Sequence, residues 1–133
     1  MGIEELKKQF IVDEDLLKSR LEPVVTMALA HCRIDKDGGV EIRNPALSGK
    51  DQVKLTLAAR AIGAEMDSAI SRDLTVAEIA KFTGLPPNQV RARGKDAIED
   101  KFALSPRSGI YRALPHKIEP FLKGLSTPST GKR

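Results

Sequence analysis

The segment over residues 50–68 constrains the fold most, because helical periodicity places its apolar residues on two faces. One face carries Leu55, Ala58, Ala59, Ile62 and Met66, and the other carries Val53, Leu57, Ala61 and Ala64. Ser48 stands three residues before Asp51, which is the spacing of a capping box at a helix start. A helix that is apolar on two sides needs a covering layer on both. We therefore expect a central helix, packed between N-terminal helices and the segment Leu74–Asp100.

The N-terminal region predicts helices followed by a β-hairpin. Residues 2–10 predict a short helix, and Asp13 is expected to cap a second helix. Pro23 cannot donate a backbone hydrogen bond, so this second helix should kink or restart there. Its apolar stripe is formed by Leu17, Leu21, Val24, Val25, Ala28 and Cys32. The apolar residues on either side of the turn sequence DKDGG predict a hairpin over residues 32–44.

The reactive residue types do not occur in patterns that favour catalysis or metal binding. Cys32 is the only cysteine, which excludes an intrachain disulfide, and its apolar stripe indicates a packing role. His31 and His116 lack further ligands at zinc spacing, and we expect both in solvent or at the edge of the core. Paired acids such as Glu99 and Asp100 lack the apolar surroundings that shift a catalytic pKa. We expect no enzymatic activity, no metal and no cofactor.

The first residues and the hydropathy of the chain indicate its expected cellular location. Residues 1–10 are charged and lack the apolar core of a signal peptide. No apolar run approaches the length that spans a membrane. We expect a cytoplasmic protein without a membrane partner.

The positive charge is concentrated in the second half of the chain. Residues 1–73 contain 11 basic and 13 acidic side chains, a net charge of −2, whereas residues 74–133 contain 11 and 5, a net charge of +6. Such asymmetry is typical of a protein with a polyanionic partner. Charge alone leaves open the alternative of a solvated basic face.

Two helices joined by a tight turn are predicted by the sequence LTVAEIAKFTGLPPNQVRARGKDAIED. Thr75 and Glu78 have the capping-box spacing at the start of the first helix. Gly84 can adopt the positive φ that a sharp turn requires. Pro86 and Pro87 suit the first turn of a second helix, where backbone donors have no internal partner.

This pattern resembles the helix-turn-helix family, and with the hairpin that follows it resembles a winged helix-turn-helix domain. Ala80 is small where the two helices cross, Gly84 lies at the turn, and Val90 anchors the second helix. The pattern departs at Arg93, where such helices usually carry another apolar anchor, and Gly94 follows at a cost of about 1 kcal/mol relative to Ala. The resemblance implies a mainly α fold, a winged helix-turn-helix with a small β-hairpin wing and extra N-terminal helices.

The resemblance also implies a mode of binding. The second helix would enter the major groove of double-stranded DNA, where amide and guanidinium side chains read base edges. Phe102–Leu104 and Ile110–Arg112 are the expected wing strands, with SPRSG as the turn and Arg107 at its tip against phosphates. The predicted nucleic-acid-binding residues are Asn88, Gln89, Arg91, Arg93, Lys95, Lys101, Arg107, Arg112 and Lys117.

Three parts of the chain follow from these assignments. Residues 1–44 form an N-terminal helical extension with a short β-hairpin, and residues 45–125 form the winged helix-turn-helix domain. The last helix of this domain is expected to start near Pro115 or Glu119. Residues 126–133 are small and polar, and we expect a mobile C-terminal tail.

We predict a sequence-reading, double-stranded DNA-binding protein that regulates transcription. A homodimer is expected, because paired half-sites raise the modest affinity of one module. RNA is the less favoured nucleic acid, and no small-molecule ligand is evident. Two alternatives stay open: a winged-helix protein-interaction module within a larger assembly, and an RNA- or ribosome-associated basic protein.

Overall fold

The computed structural model describes residues 2–3, 16–44 and 46–125, and within these ranges it contains six helices and two small antiparallel sheets. The helices are α1 (Leu16–Ser19), α2 (Leu21–Ala28), α3 (Gly49–Met66), α4 (Val76–Thr83), α5 (Pro87–Glu99) and α6 (Pro115–Gly124). The strands are β1 (Cys32–Ile34), β2 (Val40–Ile42), β3 (Leu74–Thr75), β4 (Ala103–Arg107) and β5 (Ile110–Ala113). The fold is mixed α/β with more helix than strand, so the predicted mainly α fold is right in part. Residues 4–10 of the helix predicted over residues 2–10, the Asp13 cap and the tail over residues 126–133 lie outside the described residues.

Helix α3 is covered on both sides, as its two apolar faces predict. Ser48 caps it, because the Ser48 side chain accepts a hydrogen bond from the Asp51 amide (Oγ to N 3.2 Å). Elements from both halves of the chain pack around α3: α1, α2, β1 and β2 from the first half, and α4, α5, β5 and α6 from the second. Met66 departs from the prediction, since its side chain is 62% exposed at the end of the helix. Core residues from Leu17 to Leu122 form one continuous cluster.

The chain restarts between α1 and α2, and Pro23 lies in the first turn of α2. This is the turn in which a missing backbone donor costs least. Arg20, at the break, donates two hydrogen bonds to the Glu119 carboxylate of α6 (3.1 and 2.7 Å). These hydrogen bonds from Arg20 lower the pKa of Glu119 to about 2. The ion pair joins the N-terminal helices to the last helix.

The predicted hairpin over residues 32–44 is confirmed, and it brings polar groups into the core. Strands β1 and β2 pair antiparallel, with Cys32 opposite Ile42. Cys32 is buried, and burial raises the pKa of its thiol to about 11, which agrees with a packing role. His31 is also buried, so its predicted place in solvent or at the core edge is wrong. Its Nδ1 lies 3.1 Å from Nδ2 of buried Asn44, which gives this buried ring nitrogen a hydrogen-bond partner.

The second sheet has the strand order β3-β5-β4, with every neighbouring pair antiparallel. Strand β4 runs on to Arg107, which pairs with Ile110, so the predicted turn SPRSG is wrong in its extent. Two residues, Ser108 and Gly109, make the turn, and Gly109 supplies the positive φ of 77°. The register shifts between Leu104 and Arg107, which places Pro106 at a bulge, where a strand tolerates a residue without an N–H group.

Arg60 is a charged residue in the middle of α3, yet only 6% of it is exposed. Its Nε donates to the Gly38 carbonyl in the β1–β2 turn (2.6 Å), and Nη1 donates to the Ser71 carbonyl before β3 (2.8 Å). Its Nη2 lies 3.1 Å from Oε2 of Glu78 in α4. One guanidinium therefore joins the central helix to three separate segments of the chain.

Replacing Arg60 with Met keeps an apolar stem of similar length and removes every donor of the guanidinium. The carbonyl of buried Gly38 then loses its partner, and so do the Ser71 carbonyl and the Glu78 carboxylate. We expect the free energy of unfolding, measured by chemical denaturation, to fall by about 3 kcal/mol. Arg43→Met, at an exposed arginine, is the matched control and should cost less than about 0.5 kcal/mol. Equal losses in the two variants would contradict the role of Arg60.

The buried His31 predicts a pH dependence of stability. Burial lowers the pKa of His31, so the unfolded chain binds this proton at a higher pH than the folded chain. Its contribution to stability is present above about pH 6.5 and is lost as the pH falls below that value. We expect the free energy of unfolding to decline between about pH 7.5 and 5.5, and His31→Gln to flatten that decline.

Two comparisons isolate the contribution of His31. His116→Gln, at a partly exposed histidine, is the matched control and should retain the wild-type slope. Carboxylates whose pKa is lowered in the folded chain, such as Asp73 and Asp100, lose their contribution to the free energy of unfolding only below about pH 5. An unchanged slope in H31Q between about pH 7.5 and 5.5 would show that His31 is not the titrating group.

Candidate nucleic-acid interface

The start of α4 is fixed by the capping box that the sequence predicts. The Thr75 Oγ1 accepts from the Glu78 amide (3.1 Å), and Glu78 Oε1 accepts from the Thr75 amide (3.0 Å). The first residue of α4 is also tied to the β4–β5 turn, because the Val76 amide donates to the Gly109 carbonyl (3.2 Å). The start of α4 is therefore joined by a backbone hydrogen bond to the turn of the β4–β5 hairpin.

The turn between α4 and α5 is stabilised by local hydrogen bonds. Gly84 ends α4 in the left-handed conformation (φ 78°), as predicted. Thr83 Oγ1 donates to the Ile79 carbonyl (2.8 Å) and accepts from the Leu85 amide (3.1 Å). Pro87 is the first residue of α5, so the two helices are separate. The predicted break of the chain at the glycine and the two prolines is confirmed.

Helix α5 has one buried face and one exposed face. Val90, Gly94 and Ala97 are buried against the body of the protein. The predicted residues on its exposed surface are Asn88, Gln89 and Arg91 in the N-terminal half and Lys95 beyond the middle of the helix. Among the described residues, neither Arg91 nor Lys95 forms a salt bridge. These two cations and two amides are thus presented to solvent by a single helix.

Arg93 is placed differently from the other predicted residues of α5. Its Nε lies 3.0 Å from Asp96 Oδ2, and its side chain is 36% exposed. Its stem lies beside Gly49 at the start of α3, where a Cβ would come 3.9 Å from Arg93 Cδ. Arg93 therefore lies along the junction of α3 and α5, where part of its charge is neutralised.

Lys101 is exposed and ends α5 in a left-handed conformation (φ 64°). The Lys101 amide donates to the Ile98 carbonyl (3.0 Å), and the Phe102 amide donates to the Ala97 carbonyl (3.0 Å). This pair of bonds is a Schellman motif, in which the residue in the left-handed conformation is usually glycine. Lys101 thus stands between α5 and β4, as predicted, at a position that costs about 1–2 kcal/mol for a residue other than glycine.

The two predicted arginines of the β4–β5 hairpin have different environments. Arg107 is exposed beside the turn. Arg112 is held by Asp73, with its Nε 2.6 Å from Oδ1 and its Nη2 3.0 Å from Oδ2. The hydrogen bond from Arg112 is the main cause that lowers the pKa of Asp73, and the charges of Arg72 and Arg107 lower it further. Arg112 therefore braces the sheet, and Arg107 remains available to a ligand.

Lys117 lies on a different helix from the other predicted residues. It is in the first turn of α6, the helix that packs against α1 and α2. The side chain is only partly exposed. The structure does not join Lys117 to the surface of α5.

Three further cations near α5 and the hairpin were not predicted as site residues. Lys54 and Lys50 lie 2.9 and 3.3 Å from Asp100 Oδ2. Their hydrogen bonds lower the pKa of Asp100, and the one from Lys54 has the larger effect. These pairs hold the end of α5 against α3. Arg72 is exposed next to Asp73, so it joins Arg107 near the outer end of the sheet. No periodicity signals Arg72, because it lies in a loop between two elements.

Neither a three-residue metal cluster nor a membrane-spanning helix occurs in the described part of the chain. In it, no group of three or more His, Cys, Asp or Glu side chains is arranged to hold a metal ion. Likewise, none of its helices has the length and apolar character needed to cross a membrane.

Comparisons of the chain with models of protein families, with curated proteins and with solved structures found no match. The function is therefore inferred from the residues and the geometry of the chain itself.

Proposed function

We propose that the chain is a winged helix-turn-helix protein that binds double-stranded DNA and regulates transcription. In this proposal α5 enters the major groove and the β4–β5 hairpin lies on the phosphate backbone. One observation carries it: a helix anchored on one face presents two amides and two cations on the other, Asn88, Gln89, Arg91 and Lys95. Asn and Gln can pair with adenine edges and Arg with guanine, so these types suit base reading.

The order of the elements supports the same proposal. From α3 onward the chain runs α3, β3, α4, α5, β4, β5, and the strand before α4 pairs with the last strand of the hairpin. This arrangement resembles the winged helix-turn-helix fold that the sequence pattern implies. It puts the hairpin beside the helix pair, so that a single duplex could meet both.

The cations around α5 and the hairpin support a phosphate-binding role. Arg91, Lys95, Lys101, Arg107 and Arg72 are all exposed. Phosphate contacts position a protein on a duplex and supply most of its salt-sensitive affinity, whereas base contacts supply specificity.

The salt dependence of duplex binding tests the proposal. With Arg91 on a base edge, the other four exposed cations on phosphates predict that log K falls against log salt with a slope of about −3.6. Fluorescence anisotropy on a random-sequence duplex, across about 50–300 mM salt, measures this slope. A flat response, or no binding at low salt, would remove the proposed function. If structured RNA displaces the duplex at equal concentration, the partner is RNA.

A protein-interaction module is the second candidate function, and one observation favours it. Leu29 and Met66 are 55% and 62% exposed, and they border an apolar groove of about 350 Å³ between α2, β1 and α3. Absence of duplex binding at low salt, together with co-purification of a defined protein, would favour this candidate over DNA binding.

Arg91 and Arg107 have different predicted roles, which paired substitutions separate. Arg91→Ala should reduce discrimination between duplexes by about 1–3 kcal/mol, because it removes a contact to a base. Arg107→Ala should weaken all duplexes alike and reduce the salt slope by about one. Arg33→Ala, at an exposed arginine of β1, is the control and should change neither property. If R91A and R107A lose affinity equally at every sequence, this division of roles is wrong.

A further inference from the structure

Helix α5 and the central strand β5 meet where Gly94 faces Tyr111. A Cβ on Gly94 would lie 2.9 Å from both Cε1 and Cζ of the Tyr111 ring, and 3.3 Å from its oxygen. Carbon atoms pack favourably at about 3.5–4.0 Å, so any side chain at residue 94 would require the ring or the helix to move. Both residues are buried. The close approach of α5 to β5 is therefore one that glycine alone permits.

The neighbours of Gly94 restrict how the contact could adjust. Val90 and Ala97, about one turn to either side on the same face, are fully buried. On the sheet side, Tyr111 is opposite Leu74 of β3, which is also fully buried. The helix and the strand are thus held on both sides of the contact. Gly within a helix costs about 1 kcal/mol relative to Ala, so helix stability does not account for this residue.

We propose that the Gly94–Tyr111 contact sets the angle between α5 and the β4–β5 hairpin, and that Gly94 is a positioning residue for nucleic-acid binding. This inference rests on the proposed function. Arg91 lies on α5 and Arg107 lies on the hairpin. One rigid duplex can meet both side chains only if the two elements keep a fixed relative orientation. Gly94 touches no ligand and acts through the placement of α5.

The geometric part of the proposal is tested without nucleic acid. Residual dipolar couplings of backbone amides give the angle between α5 and the β4–β5 hairpin in solution. Gly94→Ala should change this angle, and the double variant G94A/Y111L should return toward the wild-type value, because Leu lacks the Cε1, Cζ and hydroxyl atoms. The matched control is G94A/Y111F, which keeps Cε1 and Cζ and should remain displaced. Equal angles in G94A and wild type would overturn the proposal.

The functional part is tested on the same proteins with a random-sequence duplex. G94A should bind about tenfold more weakly, and the magnitude of its salt slope should fall by about one, as expected when the hairpin contact is lost. Arg107→Ala should then cause no further loss in the G94A background, and G94A/Y111L should recover the wild-type slope. A changed angle with wild-type affinity and slope would also overturn the proposal.

Failure of this inference and failure of the proposed function give different results. Wild-type protein that binds no duplex removes the proposed function, and with it the positioning role. Wild-type protein that binds, together with an unaltered G94A, removes only the inference about Gly94. If G94A does not fold, Tyr111→Leu alone carries the test. Removal of the ring should then alter the angle and the salt slope in a folded protein, and no change in either would overturn the proposal.

Discussion

The buried guanidinium of Arg60 is the interaction on which the arrangement of the other elements depends. A buried charge is costly unless its donors are satisfied, so Arg60 is stable only when the Gly38 and Ser71 carbonyls and Glu78 are all in place. These partners lie in the β1–β2 turn, in the loop before β3 and in α4. Glu78 also completes the capping box of α4, so one carboxylate binds both Arg60 of the central helix and the Thr75 amide at the start of α4. The contacts of Glu78 therefore tie the position of α4 to that of the central helix.

The orientation of α5 follows from this anchor and from two further contacts. Helix α4 leads into α5 through the left-handed Gly84, which sets the bend between them. The end of α5 is held to α3 by Lys50 and Lys54 at Asp100, and its middle lies against Tyr111. A functional surface on a helix is precise only if the scaffold fixes that helix. The exposed N-terminal half of α5 meets this requirement.

The features that could be predicted from the sequence are those that depend on residues only a few positions apart. Thr75 with Glu78, and Gly84 before two prolines, each determine backbone geometry within a few residues, and each is confirmed. The role of Arg60 could not be predicted, because its partners are backbone carbonyls up to 22 residues away whose positions depend on the fold. Arg112 lies near Arg107 in sequence and differs in role only because Asp73, 39 residues earlier, meets it in the sheet. Charge counts predict a basic surface, but they do not tell which cations are already paired.

The order of charges along α5 is not the one that helix stability favours, and it supports the proposed polyanionic partner. A helix is stabilised by acids near its N-terminus and bases near its C-terminus, by about 0.3–1 kcal/mol each. Helix α5 has largely the reverse order, with Arg91 and Arg93 in the first half, Asp96 and Glu99 beside Lys95 in the second, and no acid in its first turn. A departure from local helix preferences that no contact within the protein offsets is expected at functional sites. The acid at the end of the helix, Asp100, does have such a gain in its pairs with α3. The exposed cations Arg91 and Lys95 form no such pair with a described residue, which supports the proposed polyanionic partner.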